Sequence, residues 1–355
     1  MFNNNYEQYS NGSYAQEPRW DEFTLDDEKR ARSRFSRFSF ALFIYMLLAS
    51  VIMLAAQLII EFTMGERAEQ ILGSEWFLWV ANVVSMYVIA FPVLYLIIFK
   101  MRKTVRSRAK LSFKEFIKLL CISSALMYIG NMVANTLSSI IELFKGSPVP
   151  DHTSELIENS SIWAITAVAV IIGPIVEELI FRKLLMDRLG VYGDRIAIVF
   201  SAITFALFHG NIYQLFYAGL LGLLLGYVYS RTGNILYPIA IHMVINFFGS
   251  VIPMLLMDKI NRFNELYEAF ISGAEYNEQE FFSTYAIVGI YSFLTLAVVV
   301  AGVVIFIKNY KRIFVSDRCE VLIPKAKRLP IIAGNAGMII FTVFMLINMI
   351  LNMFI

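Results

Sequence analysis

The chain has 355 residues, 58% of them hydrophobic and 16% charged, with a formal net charge of +2. A soluble domain is closer to half apolar and a quarter charged, so the composition argues against a soluble globular protein. The apolar excess sits in blocks separated by short charged connectors, and a spanning helix needs about 20 mainly apolar residues.

In chain order, residues 1–37 are polar, rich in Asn, Ser, Tyr and acids, and lack the apolar stretch of a signal peptide. They read as a disordered cytoplasmic tail. Arg30, Arg32, Arg34 and Arg37 then precede the first apolar block. Nine blocks follow, at 38–60, 76–99, 119–141, 162–189, 194–210, 212–230, 236–257, 285–307 and 331–355. The expected fold is all-α, a polytopic membrane helix bundle of about nine transmembrane helices. Lys and Arg alternate between connectors: the loop after the second block holds Lys100, Arg102, Lys103, Arg106, Arg108 and Lys110, whereas 258–284 is mostly acidic. Nine spans with a cytoplasmic N-terminus satisfy every loop under the positive-inside rule. The resulting divisions are 38–160 for the N-terminal helices, 161–257 for a central unit, 258–284 for an extracytoplasmic loop and 285–355 for the C-terminal helices. Loop 258–284 carries several aromatics and is expected to cap the bundle rather than lie as an interfacial helix. Cys121 and Cys319 fit no disulfide framework or metal spacing and read as incidental reduced thiols.

Ionisable residues inside spanning helices are costly unless they face a partner or a cavity. Two of the three histidines, His209 and His242, fall within apolar blocks, and so do the adjacent carboxylates Glu177 and Glu178. Counting from the turns near Gly190–Asp194 and Thr232–Asn234 puts Glu177 about 20 Å, His209 about 22 Å and His242 about 14 Å up their helices, with Asn246 about 6 Å higher. One layer of a bundle can therefore hold them all. Glu178 and Arg182 are four apart and can pair. His242 and Asn246, also four apart, can point at one ligand, and Phe205 stands four before His209. Gly173-Pro174 precedes the glutamates, where proline removes a backbone donor and opens a polar spot. Gly219, Gly222 and Gly226 permit close helix approach. Each feature alone also fits ordinary packing.

Together these residues resemble a known pattern. Glu177-Glu178-Leu-Ile-Phe-Arg182 is similar to the EExxxR motif of the CPBP family of intramembrane proteases, which includes CAAX-processing endopeptidases of the Rce type and the bacterial Abi proteins. Phe205-Ala-Leu-Phe-His209 resembles its FxxxH motif, and His242-Met-Val-Ile-Asn246 its HxxxN motif. The resemblance covers about residues 160–250 and implies a four-helix catalytic core that cleaves peptide bonds near the membrane surface. It also implies roles: Glu177 and His209 activate water, His242 and Asn246 stabilise the oxyanion, and Glu178 and Arg182 organise the site. Metal-free glutamate chemistry is the favoured reading. Zinc held by Glu177, His209 and His242 is the alternative, although no HExxH is present. Expected partners are a membrane-associated protein or peptide substrate and the lipid bilayer, not nucleic acid. The expected location is a bacterial plasma membrane, as a multi-pass protein. Two non-enzymatic readings compete: a membrane binding or bacteriocin-immunity protein, and a transporter with a Glu–His proton relay, which calls for an inverted repeat that the sequence does not display.

Overall fold

A computed structural model describes residues 23–313 and 319–354. Among them every regular element is helical. The chain begins with α1 (Leu25–Met64), then α2 (Glu75–Ile98), α3 (Phe113–Lys145), the short α4 (His152–Glu158) and α5 (Ile162–Tyr192). After these come α6 (Asp194–Phe208), α7 (Ile212–Thr232), α8 (Leu236–Ser272), α9 (Glu278–Ile313), α10 (Lys325–Ile332) and α11 (Ala336–Asn352).

Among the described residues seven helices are long and apolar enough to span a bilayer, and α10 with α11, bent by 58°, makes an eighth candidate. The expected count of nine is not reached, because α6 has only 15 residues. It extends about 22 Å, short of a hydrocarbon core of about 30 Å. Gly210, at φ 58°, ends it immediately after His209, since a left-handed residue stops a helix and glycine adopts that conformation without a Cβ clash. Asn211 then accepts a hydrogen bond from the Tyr213 amide and starts α7.

Two other expectations need correcting. The tail does not extend to residue 37: α1 starts at Leu25, where Thr24 and Asp27 form a reciprocal capping box. Residues 1–22 lie outside the described residues. Nor is 258–284 a loop. α8 runs unbroken to Ser272, and α9 resumes at Glu278. Their ends are joined by stacked rings (Phe263–Phe281, 6.2 Å; Phe270–Phe281, 5.6 Å) and by Arg262 donating to Glu280 at 2.7 Å.

The short α6 lies at the centre, packed most extensively against α7 and also against α5. On one flank an apolar cluster joins α1, α2, α5, α6 and α11 through Phe35, Leu42, Tyr45, Leu94, Phe181, Phe205 and Phe341. On the other flank Leu119, Ile122, Leu225, Val228 and Ile241 join α3, α7 and α8. The α6–α7 seam is tight. A Cβ on Gly222 would stand 3.1 Å from the Ala202 Cα and 3.2 Å from the Phe205 ring, and one on Gly226 3.3 Å from Ile198. Gly222→Val should therefore overpack the seam, lowering stability by about 1–3 kcal/mol in thermal unfolding of the purified protein.

The basic connector between α2 and α3 is not a free loop. The Thr104 amide donates to the Asp187 carbonyl, Arg106 pairs with Asp194 at 2.7 Å, and the Ala109 amide donates to the Thr232 carbonyl. Burial opposes the Arg106 charge, but Asp194 and Asp187 outweigh it and hold the guanidinium pKa above its ordinary value. Asp187 also accepts from Tyr229 at 2.8 Å. This connector thus fastens the α5–α6 turn to the end of α7, setting the height of the helices that carry the polar layer above.

Candidate active site

Arg182, His209 and His242 come together around Phe205, with Glu178 bridging Arg182 and His242. Glu178 and Arg182 are completely buried. Arg182 Nε donates to Glu178 Oε2 at 2.9 Å. Its Nη1 donates to the Ser201 hydroxyl, which in turn donates to the Phe181 carbonyl at 2.9 Å. The remaining terminal nitrogen, Nη2, has no hydrogen-bond partner, and the guanidinium carbon lies 5.3 Å from the Phe205 ring centroid. An aromatic face near a desolvated cation recovers part of its lost hydration.

The second oxygen of Glu178 faces His242. Nδ1 of His242 stands 3.1 Å from Glu178 Oε1, and Nε2 stands 3.7 Å from Glu177 Oε2. A carboxylate already paired with Arg182 accepts, so Nδ1 carries the proton it donates to Glu178. Nε2 is thereby turned towards Glu177. Glu177 differs sharply from its neighbour: its side chain is 20% exposed against 0% for Glu178.

His209, at the end of α6, is fixed by the same logic. Its Nδ1 lies 2.8 Å from the Phe205 carbonyl. A carbonyl only accepts, so Nδ1 is protonated and the neutral ring presents a lone pair at Nε2. The His209 ring meets Phe205 edge-on at 4.8 Å, and the His242 ring meets it at 5.9 Å. The two imidazoles thus share one aromatic wall.

Asn246 is held by an unexpected consequence of Gly173-Pro174. The segment Ile165–Ile172 is wound as a π-helix, and the Gly173 amide bonds the Val168 carbonyl five residues back. In that register the next amide, at residue 174, would serve the Ala169 carbonyl. Proline has no N–H to give. The Asn246 side chain supplies it instead, with Nδ2 donating to the Ala169 carbonyl at 2.8 Å. The proline does not break α5, which remains one candidate span from Ile162 to Tyr192. It frees a carbonyl that ties α5 to α8. One Asn246 amide hydrogen is thereby committed and the other is left over.

Wide turns recur around this layer. Among the described residues the four π-helical stretches are Val83–Ala90, Ile165–Ile172, Leu179–Met186 and Phe247–Val251. Two bracket the glutamates, with Arg182 in the second of them, and one begins right after Asn246. Such bulges displace side chains from the regular helical face and concentrate at functional sites.

Among the described residues no three His, Cys, Asp or Glu side chains converge closely enough to hold a metal ion. Glu177, His209 and His242, the set expected as the zinc alternative, do not form such a group. Ser201 was missed by sequence reading, although it stands four residues before Phe205 on the same helix face.

Residues 159–248 match the protein-family model for the type II CAAX prenyl endopeptidase Rce1-like family. The central segment is thus similar to the Rce1-like family. The match spans 90 of the chain's 355 residues and contains Glu177, Glu178, Arg182, His209, His242 and Asn246. No curated protein and no solved structure matches the chain. An Rce1-like match within a bundle of seven or eight candidate spans among the described residues supports an integral membrane protein with a core similar to the CAAX-type endopeptidases. The helices from α1 to α3 and from α9 onward lie outside the matched core.

Proposed function

We propose that the protein hydrolyses peptide bonds of membrane-associated proteins or peptides with a water activated at Glu177. The contrast between the adjacent glutamates carries the reading. Glu178 is saturated by Arg182 and His242, whereas Glu177 is partly exposed and its Oε2 lies 3.7 Å from His242 Nε2. A carboxylate with open acceptor sites in a desolvated pocket is suited to general-base work.

In this mechanism the water oxygen attacks the scissile carbonyl carbon while its proton passes to Glu177, with the water also held by the Nε2 lone pair of His209. The carbonyl oxygen gains negative charge and is met by the free Asn246 amide hydrogen and by His242 Nε2–H. The latter requires protonation of both His242 nitrogens. Glu177, Glu178, Arg182 and an imidazolium then sum to zero charge, an arrangement that a low-dielectric site tolerates. Collapse of the intermediate breaks the C–N bond, and Glu177 returns its proton to the leaving amine. Glu178 and Arg182 hold His242 in place.

The family description names CAAX prenyl substrates. A prenylated or otherwise lipid-anchored C-terminal peptide is accordingly the first substrate class to offer. The test compares N-termini of membrane proteins by mass spectrometry in cells carrying wild type or Glu177→Gln at equal expression. N-termini found only with wild type establish proteolysis and identify a substrate. Identical sets, with the same cellular phenotype, remove the endopeptidase reading and favour a binding role. Strong chelator sensitivity of purified activity, restored by zinc, would replace the metal-free mechanism.

A further inference from the structure

The Rce1-like core does not enclose Glu177 by itself: Tyr87 of α2 stands on its Gly173 side, and Tyr45 of α1 packs beside Phe208. A methyl group added at Gly173 would meet the Tyr87 hydroxyl at 3.4 Å and Glu177 Oε1 at 3.9 Å. That hydroxyl and that carboxylate oxygen therefore front the same point on α5. Tyr87 lies inside the π-helical stretch Val83–Ala90 of α2, so the fourth wide turn of the molecule also belongs to the polar layer. Tyr45 of α1 is completely buried, and its hydroxyl has no hydrogen-bond partner. Its ring packs 5.2 Å from Phe208, the residue before His209. Tyr45 is within electrostatic reach of both Tyr87 and Glu177.

An unpartnered buried hydroxyl is costly, and such a group calls for an explanation. Here a reason is at hand. The two oxygens of Glu177 face different surroundings: Oε2 turns to His242 Nε2 and Oε1 to the side of Gly173 and Tyr87. A carboxylate held on one side only would swing between rotamers. Hydroxyls on the Oε1 side, acting through water, fix it with Oε2 directed at the reacting centre.

We propose that Tyr45 and Tyr87 are positioning residues that complete the site from outside the family core. Their hydroxyls form a two-member relay that anchors Glu177 Oε1 while Oε2 faces His242. The inference rests on the reading of Glu177 as the base, but the contact can be tested without any substrate.

The experiment uses purified full-length protein in lipid nanodiscs. The infrared carboxyl and carboxylate bands of Glu177 are assigned as those lost in Glu177→Gln. Tyr87→Phe and Tyr45→Phe keep the rings, and so the packing, and remove only the hydroxyls. Tyr95→Phe, an exposed position further along α2, is the control. Each Phe variant at 45 and 87 should shift the Glu177 bands. On the substrate found by the N-terminus comparison, each should lower kcat about tenfold with KM little changed. Tyr95→Phe should do neither. Unmoved Glu177 bands in both variants overturn the proposal. A band shift with kcat within twofold of wild type leaves a contact without a positioning role and overturns it as well. If Glu177→Gln is itself as active as wild type, the endopeptidase mechanism fails, while the infrared result still decides whether the tyrosines hold Glu177.

Discussion

Glu177→Gln is expected to abolish proteolysis and leave the fold intact, whereas Glu178→Gln, one residue on, is expected to destabilise the protein. Glu177 is partly exposed, and an amide of the same shape replaces its carboxylate without stranding a buried charge. Its effect on stability should be below about 1 kcal/mol. Glu178 neutralises a guanidinium with no exposed surface. Removing one partner of a buried ion pair costs about 3–5 kcal/mol, because the other charge stays desolvated and unpaired. Thermal unfolding in detergent, measured beside turnover, separates the two. Replacing Glu178 and Arg182 together by methionine should recover much of the lost stability but not activity, since His242 Nδ1 would lose its acceptor. Equal unfolding temperatures for Glu177→Gln and Glu178→Gln would contradict the division of labour between the two residues.

The second large effect concerns Asn246. Loss of one donor to a developing oxyanion costs about 100- to 1,000-fold in rate, so Asn246→Ala should lower kcat by that factor and change KM little. Pro174→Ala provides a milder version without touching the asparagine. It restores an amide that competes with Asn246 for the Ala169 carbonyl. The expected result is a partial loss of kcat, smaller than for Asn246→Ala. Full turnover in Asn246→Ala would remove it from the oxyanion site.

Much of this was legible in the sequence because intramembrane charge is expensive. Glu177, Glu178, Arg182, His209 and His242 stood out against apolar surroundings, and helical rise placed them at one height. The Glu178–Arg182 pair followed from their four-residue spacing and is present at 2.9 Å. Other features left no such trace. Tyr87 is one tyrosine among eighteen, and its approach to Glu177 depends on how α2 packs on α5, a tertiary fact. The π-register of Ile165–Ile172 is invisible in an apolar run, so the proline looked like a break rather than the source of a free carbonyl. The extent of the helices was misjudged for a related reason. Apolarity marks where a helix is immersed, whereas capping by Thr24 and the aromatic pairing beyond Asp258 decide where it stops.

The brevity of α6 has a consequence for the bilayer itself. A helix about 8 Å shorter than the hydrocarbon core must be matched by local thinning of the lipid or by protein that fills the gap. Part of that filler is polar: Asn211 and Gln214 both donate to the Thr153 hydroxyl of α4, and the Tyr213 hydroxyl donates to the Val149 carbonyl. That filler brings polar side chains to the end of α6, where His209 sits. A substrate of the chemistry proposed at Glu177 would then be met by polar protein before it crossed the full hydrocarbon core, which favours flexible, membrane-tethered ends over the middle of a stable spanning helix.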